Sequence, residues 1–183
     1  MSRNVANLLT LARLACVVPI VLLIDAQRFP AAFYLFLAAA LSDVLDGYVA
    51  KRFNGCSSVG AVLDPIADKT LTTGLFAALY LVGAVPGWFL GLIVTRDLLI
   101  IGGAVSLRGR VRGFRIEPLL IGKLCTFVQL LLAGFVLGHL AGIADVATYL
   151  QPLLLLAVAV TIASATAYLA NTVRLLAATG QPG

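Results

Sequence analysis

Four aspartates stand out in a chain that is otherwise rich in apolar residues. Asp43 and Asp46 are three residues apart, and Asp64 and Asp68 are four residues apart. On a helix, each pair would share one face. Two such faces opposite each other would make a pocket with four carboxylates. The small residues at matching positions, which would leave open space in that pocket, are Gly47, Ala50 and Gly60.

Carboxylates beside lipid need a compensating positive charge. One Asp at the centre of a membrane helix costs about 2.5–3.5 kcal/mol on insertion scales, so four approach about 10–14 kcal/mol. Helix capping accounts for Asp64 and Asp68 near a helix start, but the helix dipole disfavours Asp43 and Asp46 at a helix end. Hard divalent cations bind carboxylates and substrate phosphates together, and paired ions assist displacement at phosphorus. The spacing therefore predicts a site for Mg²⁺ or Mn²⁺.

The composition predicts an integral membrane protein. Of the 183 residues, 61% are hydrophobic and 11% are charged, whereas soluble domains average about 25% charged residues. A membrane-spanning helix needs about 20 mostly apolar residues. We therefore predict an all-α bundle of six transmembrane helices in one domain, residues 1–183. The predicted spans are Leu8–Ile24, Ala31–Val49, Val59–Val82, Gly87–Leu107, Leu119–Leu140 and Tyr149–Leu169.

The distribution of basic residues predicts the orientation. Most lie in loops or ends on one side of the predicted bundle, so that side and both termini should face the cytoplasm, most simply at a bacterial inner membrane. The net charge of +5 fits this orientation and anionic headgroups better than it fits nucleic acid. The stretch Ser2–Arg13 is compatible with an interfacial amphipathic helix and with a polar lead-in to the first span.

The complete motif resembles a known family signature. The pattern Asp43-x2-Asp46-Gly47-x2-Ala50-x9-Gly60-x3-Asp64-x3-Asp68 is similar to that of the CDP-alcohol phosphatidyltransferases. One position departs from it. The family usually has Arg directly after the Ala, where this chain has Lys51 followed by Arg52. Only Arg offers a bidentate fork to phosphate, so which of the two takes that role stays open.

The resemblance implies a reaction and a set of roles. Members displace CMP from CDP-diacylglycerol with an alcohol, use two divalent cations, and form homodimers. It implies that Asp68 is a metal ligand and also the general base. The other implied metal ligands are Asp43, Asp46 and Asp64, and the implied CDP-binding residues are Asp43, Gly47, Ala50, Lys51, Arg52 and Gly60.

The second half of the chain bears on the acceptor alcohol. Arg96-Asp97, the stretch Glu117–Leu130 and Ser164–Tyr168 are similar to the CMP-forming cardiolipin synthases, which favours phosphatidylglycerol. Gly122-Lys123 instead fits phosphatidylglycerophosphate synthases, which leaves glycerol 3-phosphate as the alternative. The basic residues that we predict to bind the acceptor are Arg96, Arg110, Arg112 and Lys123.

Each of these basic residues also has a plainer interpretation. Arg96 would equally form a salt bridge with Asp97 or with a site aspartate, and the Arg108–Arg115 loop would equally serve only to orient the chain. Two competing classes of function remain, a small cation transporter and a membrane scaffold without activity. A transporter should carry polar residues across the whole bilayer, whereas the charges here collect at one side.

Overall fold

The protein is helical throughout the part that the structure, a computed structural model, describes. That part comprises residues 17–52, 60–110, 120–143 and 145–179, with side chains described for 17–42, 71–103, 120–143 and 145–175. Helix α1 covers residues 17–25, and no strand occurs among the described residues. The all-helical prediction is therefore confirmed. The later helices are α2 (Phe29–Arg52), α3 (Gly60–Leu81), α4 (Gly87–Arg110), α5 (Leu120–Leu140) and α6 (Ala147–Thr179).

Apolar helices of membrane length are present. Leu120–Leu140 and Ala147–Leu175 are long and apolar enough to cross a membrane, and Phe29–Ser42 and Leu71–Leu81 are shorter apolar segments. Thr166, an exposed polar residue on α6, donates its hydroxyl to the backbone carbonyls of Ile162 and Ala163 at 3.0 Å. That satisfies the hydroxyl without water, as a lipid-facing threonine requires.

Several helices continue past the predicted apolar spans. Helix α2 ends at Arg52 rather than Val49, and α4 ends at Arg110 rather than Leu107. The backbone hydrogen bonds of a helix do not depend on apolar side chains, so the helices run on through their polar ends. The proposed amphipathic segment Ser2–Arg13 lies outside the described residues.

The chain divides into two compact units. The first comprises Met1–Pro86 with Ala133–Leu150, and the second comprises Gly87–Leu132 with Gln151–Gly183. In the first unit, Gly134 and Gly138 of α5 pack against phenylalanine rings of α2. A Cβ on Gly134 would lie 3.2 Å from Phe36, and one on Gly138 would lie 3.3 Å from Phe33. The glycines let the two helices approach closely. One domain over residues 1–183 stays a prediction.

Three helices of the first unit end in the same hydrogen-bonded turn. After α1, α3 and α5, the amide of a left-handed residue bonds three residues back and the next amide bonds five residues back. This is the Schellman motif, which satisfies the last carbonyls of a helix. The left-handed residues are Gln27, Gly83 and Gly142, with φ of 54°, 74° and 67°. Gln27 holds a conformation that usually favours glycine.

The second unit packs α4, α5 and α6 around buried stripes. Along α6, Ala157, Thr161 and Ser164 are all fully buried at spacings of four and three residues. Such spacing places residues on one face of a helix. Corresponding buried stripes are Phe89, Ile93 and Arg96 on α4, and Cys125, Gln129 and Leu132 on α5. The core of this unit therefore includes polar side chains from all three helices.

Replacing Gly103 with alanine should destabilise the second unit. A Cβ on Gly103 of α4 would lie 2.8 Å from Oγ1 of Thr172 on α6. Overpacking of this kind costs about 1–3 kcal/mol, partly relieved by rotation of the Thr172 side chain. We expect Gly103→Ala to lower the unfolding temperature in detergent, and Gly103→Ala with Thr172→Ala, which removes the clashing oxygen, to recover part of the loss. Gly91→Ala, where a Cβ meets nothing within 4 Å, is the matched control.

Candidate active site

The backbone places the two aspartate pairs at one level of the first unit. Eight Cα steps from Arg52 to Gly60 reach at most about 28 Å, whereas α2 with its 24 residues is about 36 Å long. The connection is too short to return along α2, so α2 and α3 are antiparallel. Phe36 of α2 lines a small apolar pocket together with Leu71 and Leu75 of α3, and this fixes their relative height.

Both aspartate pairs lie beyond that pocket on the same side of it. Asp43 follows Phe36 by seven residues, and Asp68 precedes Leu71 and Leu75 by three and seven residues. Position 43 is therefore about 10.5 Å of helix beyond Phe36, and position 68 is about 4.5–10.5 Å of helix beyond the two leucines, in the same direction. Asp46 lies one turn further along α2 and Asp64 one turn further along α3. The four positions therefore come to one end of the antiparallel pair.

Positions 43 and 68 also lie on the faces of α2 and α3 that are buried further along each helix. Position 43 continues the stripe of α2 that holds the buried residues Ala32 and Phe36. Position 68 continues the stripe of α3 that holds the buried Leu75 and Leu79. Gly47 and Ala50 extend the α2 stripe, and Gly60 begins α3. The side chains of residues 43–70 lie outside the described part of the structure, so the metal-ligand and CDP-binding assignments stay predictions.

The donor set suits a hard divalent cation. Four carboxylates from two helices offer oxygen ligands of the kind that Mg²⁺ and Mn²⁺ prefer. Elsewhere, among the residues whose side chains are described, no group of three or more His, Cys, Asp or Glu is placed to hold a metal ion. The four aspartates therefore stay the predicted metal site.

Arg96 is the best-defined charged residue of the second unit. Its Nη1 donates to Oδ1 of Asp97 at 2.7 Å, and the pair is 2% and 9% exposed. Its Nε and Nη2 donate to Oγ of Ser164 at 3.2 and 2.9 Å. The structure thus contains the salt bridge with Asp97 that the sequence offers as one alternative to acceptor binding. Binding of the acceptor by Arg96 stays a prediction, and in this structure its guanidinium is directed at groups of the chain itself.

A second buried polar cluster joins α5 to α6. Nε2 of Gln129 donates to Oγ1 of Thr161 at 3.0 Å, and that hydroxyl donates to the carbonyl of Ala157 at 2.6 Å. Sγ of Cys125 lies 3.5 Å from the same hydroxyl. Hydrogen bonds between buried polar side chains hold membrane helices together, at about 0.6–2 kcal/mol each. Thr161 therefore anchors α6 to α5 as Ser164 anchors it to α4.

The other predicted acceptor-binding residues lie at helix ends. Arg110 is the last residue of α4, and Lys123 is exposed in the first turn of α5. Arg112 lies outside the described residues. Just before Lys123, a Cβ on Gly122 would lie 3.0 Å from the Tyr168 hydroxyl oxygen. Glycine at position 122 thus lets α5 pack closely against the Tyr168 side chain of α6.

The sequence predicts no hydrogen-bonding role for Gln129, Thr161 or Ser164. Gln129 and Ser164 enter only as members of the stretches that are similar to cardiolipin synthases. A signal was available, because Thr161 and Ser164 are polar and three residues apart within a long apolar run. Polar residues at such spacing in a membrane helix usually face other helices. What the sequence did not show was which helix each residue would meet.

Comparisons with known proteins agree with the motif and the fold. Residues 3–175 match the family model described as CDP-alcohol phosphatidyltransferase. A probable phosphatidylglycerophosphate synthase of Mycobacterium tuberculosis is 34% identical over 179 residues, covering 93% of this chain and 82% of that protein. The CMP-forming cardiolipin synthase of Rattus norvegicus is 31% identical over 182 residues, covering 90% of this chain and 60% of that protein.

A third relative is a fusion protein. The cardiolipin synthase (CMP-forming) / mitochondrial hydrolase fusion protein of Schizosaccharomyces pombe is 34% identical over 177 residues, covering 88% of this chain and 30% of that protein. The chain thus spans most of the mycobacterial relative but less than two thirds of the other two. With almost its whole length matched by the family model, the chain belongs to the CDP-alcohol phosphatidyltransferase family.

Proposed function

We propose that this protein transfers the phosphatidyl group of CDP-diacylglycerol to an alcohol and releases CMP. The observation that carries the proposal is the placement of positions 43, 46, 64 and 68 at one end of the α2–α3 pair, within a family-wide match. A site at the end of membrane helices suits a substrate with a charged diphosphate and two acyl chains. The apolar helices α5 and α6 support a membrane location.

Each group of site residues has its own role in the displacement of CMP at phosphorus. The acceptor hydroxyl oxygen attacks the phosphatidyl phosphorus, the bond from that phosphorus to the CMP oxygen breaks, and Asp68 takes the hydroxyl proton. Asp43, Asp46, Asp64 and Asp68 would hold two divalent cations, which when bound supply positive charge at the diphosphate. Gly47, Ala50 and Gly60 leave room for the nucleotide beside the backbone. Lys51 and Arg52, at the end of α2, add positive charge there.

For the acceptor we propose phosphatidylglycerol, which makes cardiolipin the product. The Arg96-Asp97 pair and the similarity to cardiolipin synthases support it. Glycerol 3-phosphate is the second candidate, supported by Gly122-Lys123 and by the relative from M. tuberculosis. Both acceptors carry a phosphate, and Arg110, Arg112 and Lys123 are the residues that we assign to it. From the family resemblance we also propose a homodimer. From the distribution of basic residues we propose that the active site and both termini face the cytoplasm.

One assay separates the competing functions. Purified protein with CDP-diacylglycerol and Mg²⁺ or Mn²⁺ should release CMP when an acceptor is present, and EDTA should abolish the release. Parallel reactions with phosphatidylglycerol and with glycerol 3-phosphate identify the acceptor by the lipid formed. A transporter or an inactive scaffold would release no CMP with either acceptor, and that result would remove the enzyme proposal.

Arg52→Ala should reduce the rate more than Lys51→Ala. Only the guanidinium can bind a phosphate through two parallel hydrogen bonds, which are stronger than those of an ammonium. We expect about a tenfold larger loss of kcat/KM for CDP-diacylglycerol in Arg52→Ala, equivalent to about 1.4 kcal/mol. Arg52→Lys serves as the conservative control. The reverse order of the two alanine variants would assign the phosphate contact to Lys51.

A further inference from the structure

One face of α6 holds both of its neighbours in the second unit. Ser164 accepts two hydrogen bonds from Arg96 of α4, and Thr161, three residues away, accepts one from Gln129 of α5. Ser164 and Thr161 are fully buried, and Arg96 and Gln129 are each 2% exposed. The two bonded connections therefore lie within one turn of α6, shielded from their surroundings.

The same face continues towards the C-terminal end of α6. Tyr168 follows Ser164 by four residues and packs on Gly122 of α5, and Thr172 follows by four more and packs on Gly103 of α4. We call Thr161, Ser164, Tyr168 and Thr172 the α6 polar face. Along it, α4 and α5 are each held at two levels, once by hydrogen bonds and once by close contact with a glycine.

The α6 polar face leads to the helix ends that carry the predicted acceptor-binding cations. Lys123 directly follows Gly122 in the first turn of α5, and Arg110 ends α4 seven residues after Gly103. Gly103 and Gly122 pack on the same helix, so the register of α6 influences how far apart the two helix ends lie. A shift of α6 would change that separation without touching either cation.

We propose that Ser164 is a positioning residue for the acceptor, acting through Arg96 to fix α4 relative to α6 and α5. In this arrangement Arg96 orients its helix, and the acceptor meets the cations at the ends of α4 and α5. The inference rests on the proposed function and adds to it the residues that set the geometry of the acceptor site. Two bonds from one guanidinium to a single buried hydroxyl make a stiff connection.

The test compares the KM for the acceptor with the KM for CDP-diacylglycerol in Ser164→Ala. The acceptor is whichever one the wild-type protein uses. Loss of the bonds to Arg96 should raise the acceptor KM about tenfold, because small displacements at a reacting centre are costly. The KM for CDP-diacylglycerol should stay within about twofold. Ser164→Thr keeps a hydroxyl and should restore much of the effect. Thr166→Ala, which removes an exposed hydroxyl bonded only to its own helix, is the matched control.

If Arg96 instead contacts the acceptor directly, Ser164→Ala should not raise the acceptor KM. Removing the Ser164 hydroxyl would then release the guanidinium, and the acceptor KM would fall or stay unchanged.

Gln129→Leu is a second test variant if Ser164→Ala does not fold, because it breaks the bond from α5 to Thr161 and leaves Arg96 intact. It should raise the acceptor KM in the same way.

In either variant, an unchanged acceptor KM, or an equal rise in KM for both substrates, would overturn the inference. An inactive wild-type protein would instead overturn the proposed function itself.

Discussion

Replacing Asp68 with asparagine should lower the rate of CMP release by about 10²–10⁴-fold, the usual contribution of a general base. Asparagine keeps the size of the side chain and one oxygen donor but cannot accept the acceptor proton. We therefore expect binding of CDP-diacylglycerol to be retained in large part while turnover is lost. Initial rates of CMP release, measured beside titration calorimetry with the nucleotide substrate, separate the two effects.

The controls for Asp68 come from the same chain. Asp25 and Asp145 are exposed aspartates of the first unit, placed at the end of α1 and just before α6. Asp25→Asn and Asp145→Asn remove the same charge away from the proposed site and should leave the rate within about twofold. Turnover of Asp68→Asn at the wild-type rate would remove the assignment of Asp68 as the base.

Replacing Arg96 with alanine should cost about 3–5 kcal/mol of stability, the usual penalty for removing one partner of a buried ion pair. The Asp97 carboxylate would lose a charge partner 2.7 Å away, and Ser164 would lose two donors. Unfolding can be followed through Cys125, which is fully buried and becomes available to a thiol-reactive dye as the second unit opens. Replacing Cys16 and Cys56 with serine leaves Cys125 as the single reporter.

A double variant shows whether Arg96 and Asp97 stabilise the protein through their mutual interaction or independently of each other. Arg96→Met with Asp97→Asn removes both charges, and replacing a whole buried pair is often nearly neutral. We expect the double variant to be more stable than Arg96→Met alone, and the cycle built with Arg96→Met and Asp97→Asn as the single variants to give an interaction energy of at least about 0.5 kcal/mol. Strict additivity of the single losses would show that the two residues do not stabilise each other, whatever their distance.

The placement of the four aspartates on two helices could be predicted because their pattern is local. The spacing Asp43-x2-Asp46 and Asp64-x3-Asp68 places residues on helix faces through a fixed periodicity, and any helix will reproduce it. The short connection between α2 and α3 then leaves only an antiparallel pair. The acceptor assignments were harder, because the same basic residue in a loop or helix serves orientation, packing or binding equally well.

The sequence by itself determined the family, the helical architecture and the positions of the four aspartates, since these depend on apolar run length, helical period and a motif of fixed spacing. Only the tertiary structure decided that Arg96 meets Ser164, 68 residues away, and that Gly122 lies under Tyr168. Those partners come from different helices. Their meeting depends on how the helices pack, because a buried guanidinium takes whichever hydrogen-bond acceptors the packed helices bring within about 3 Å.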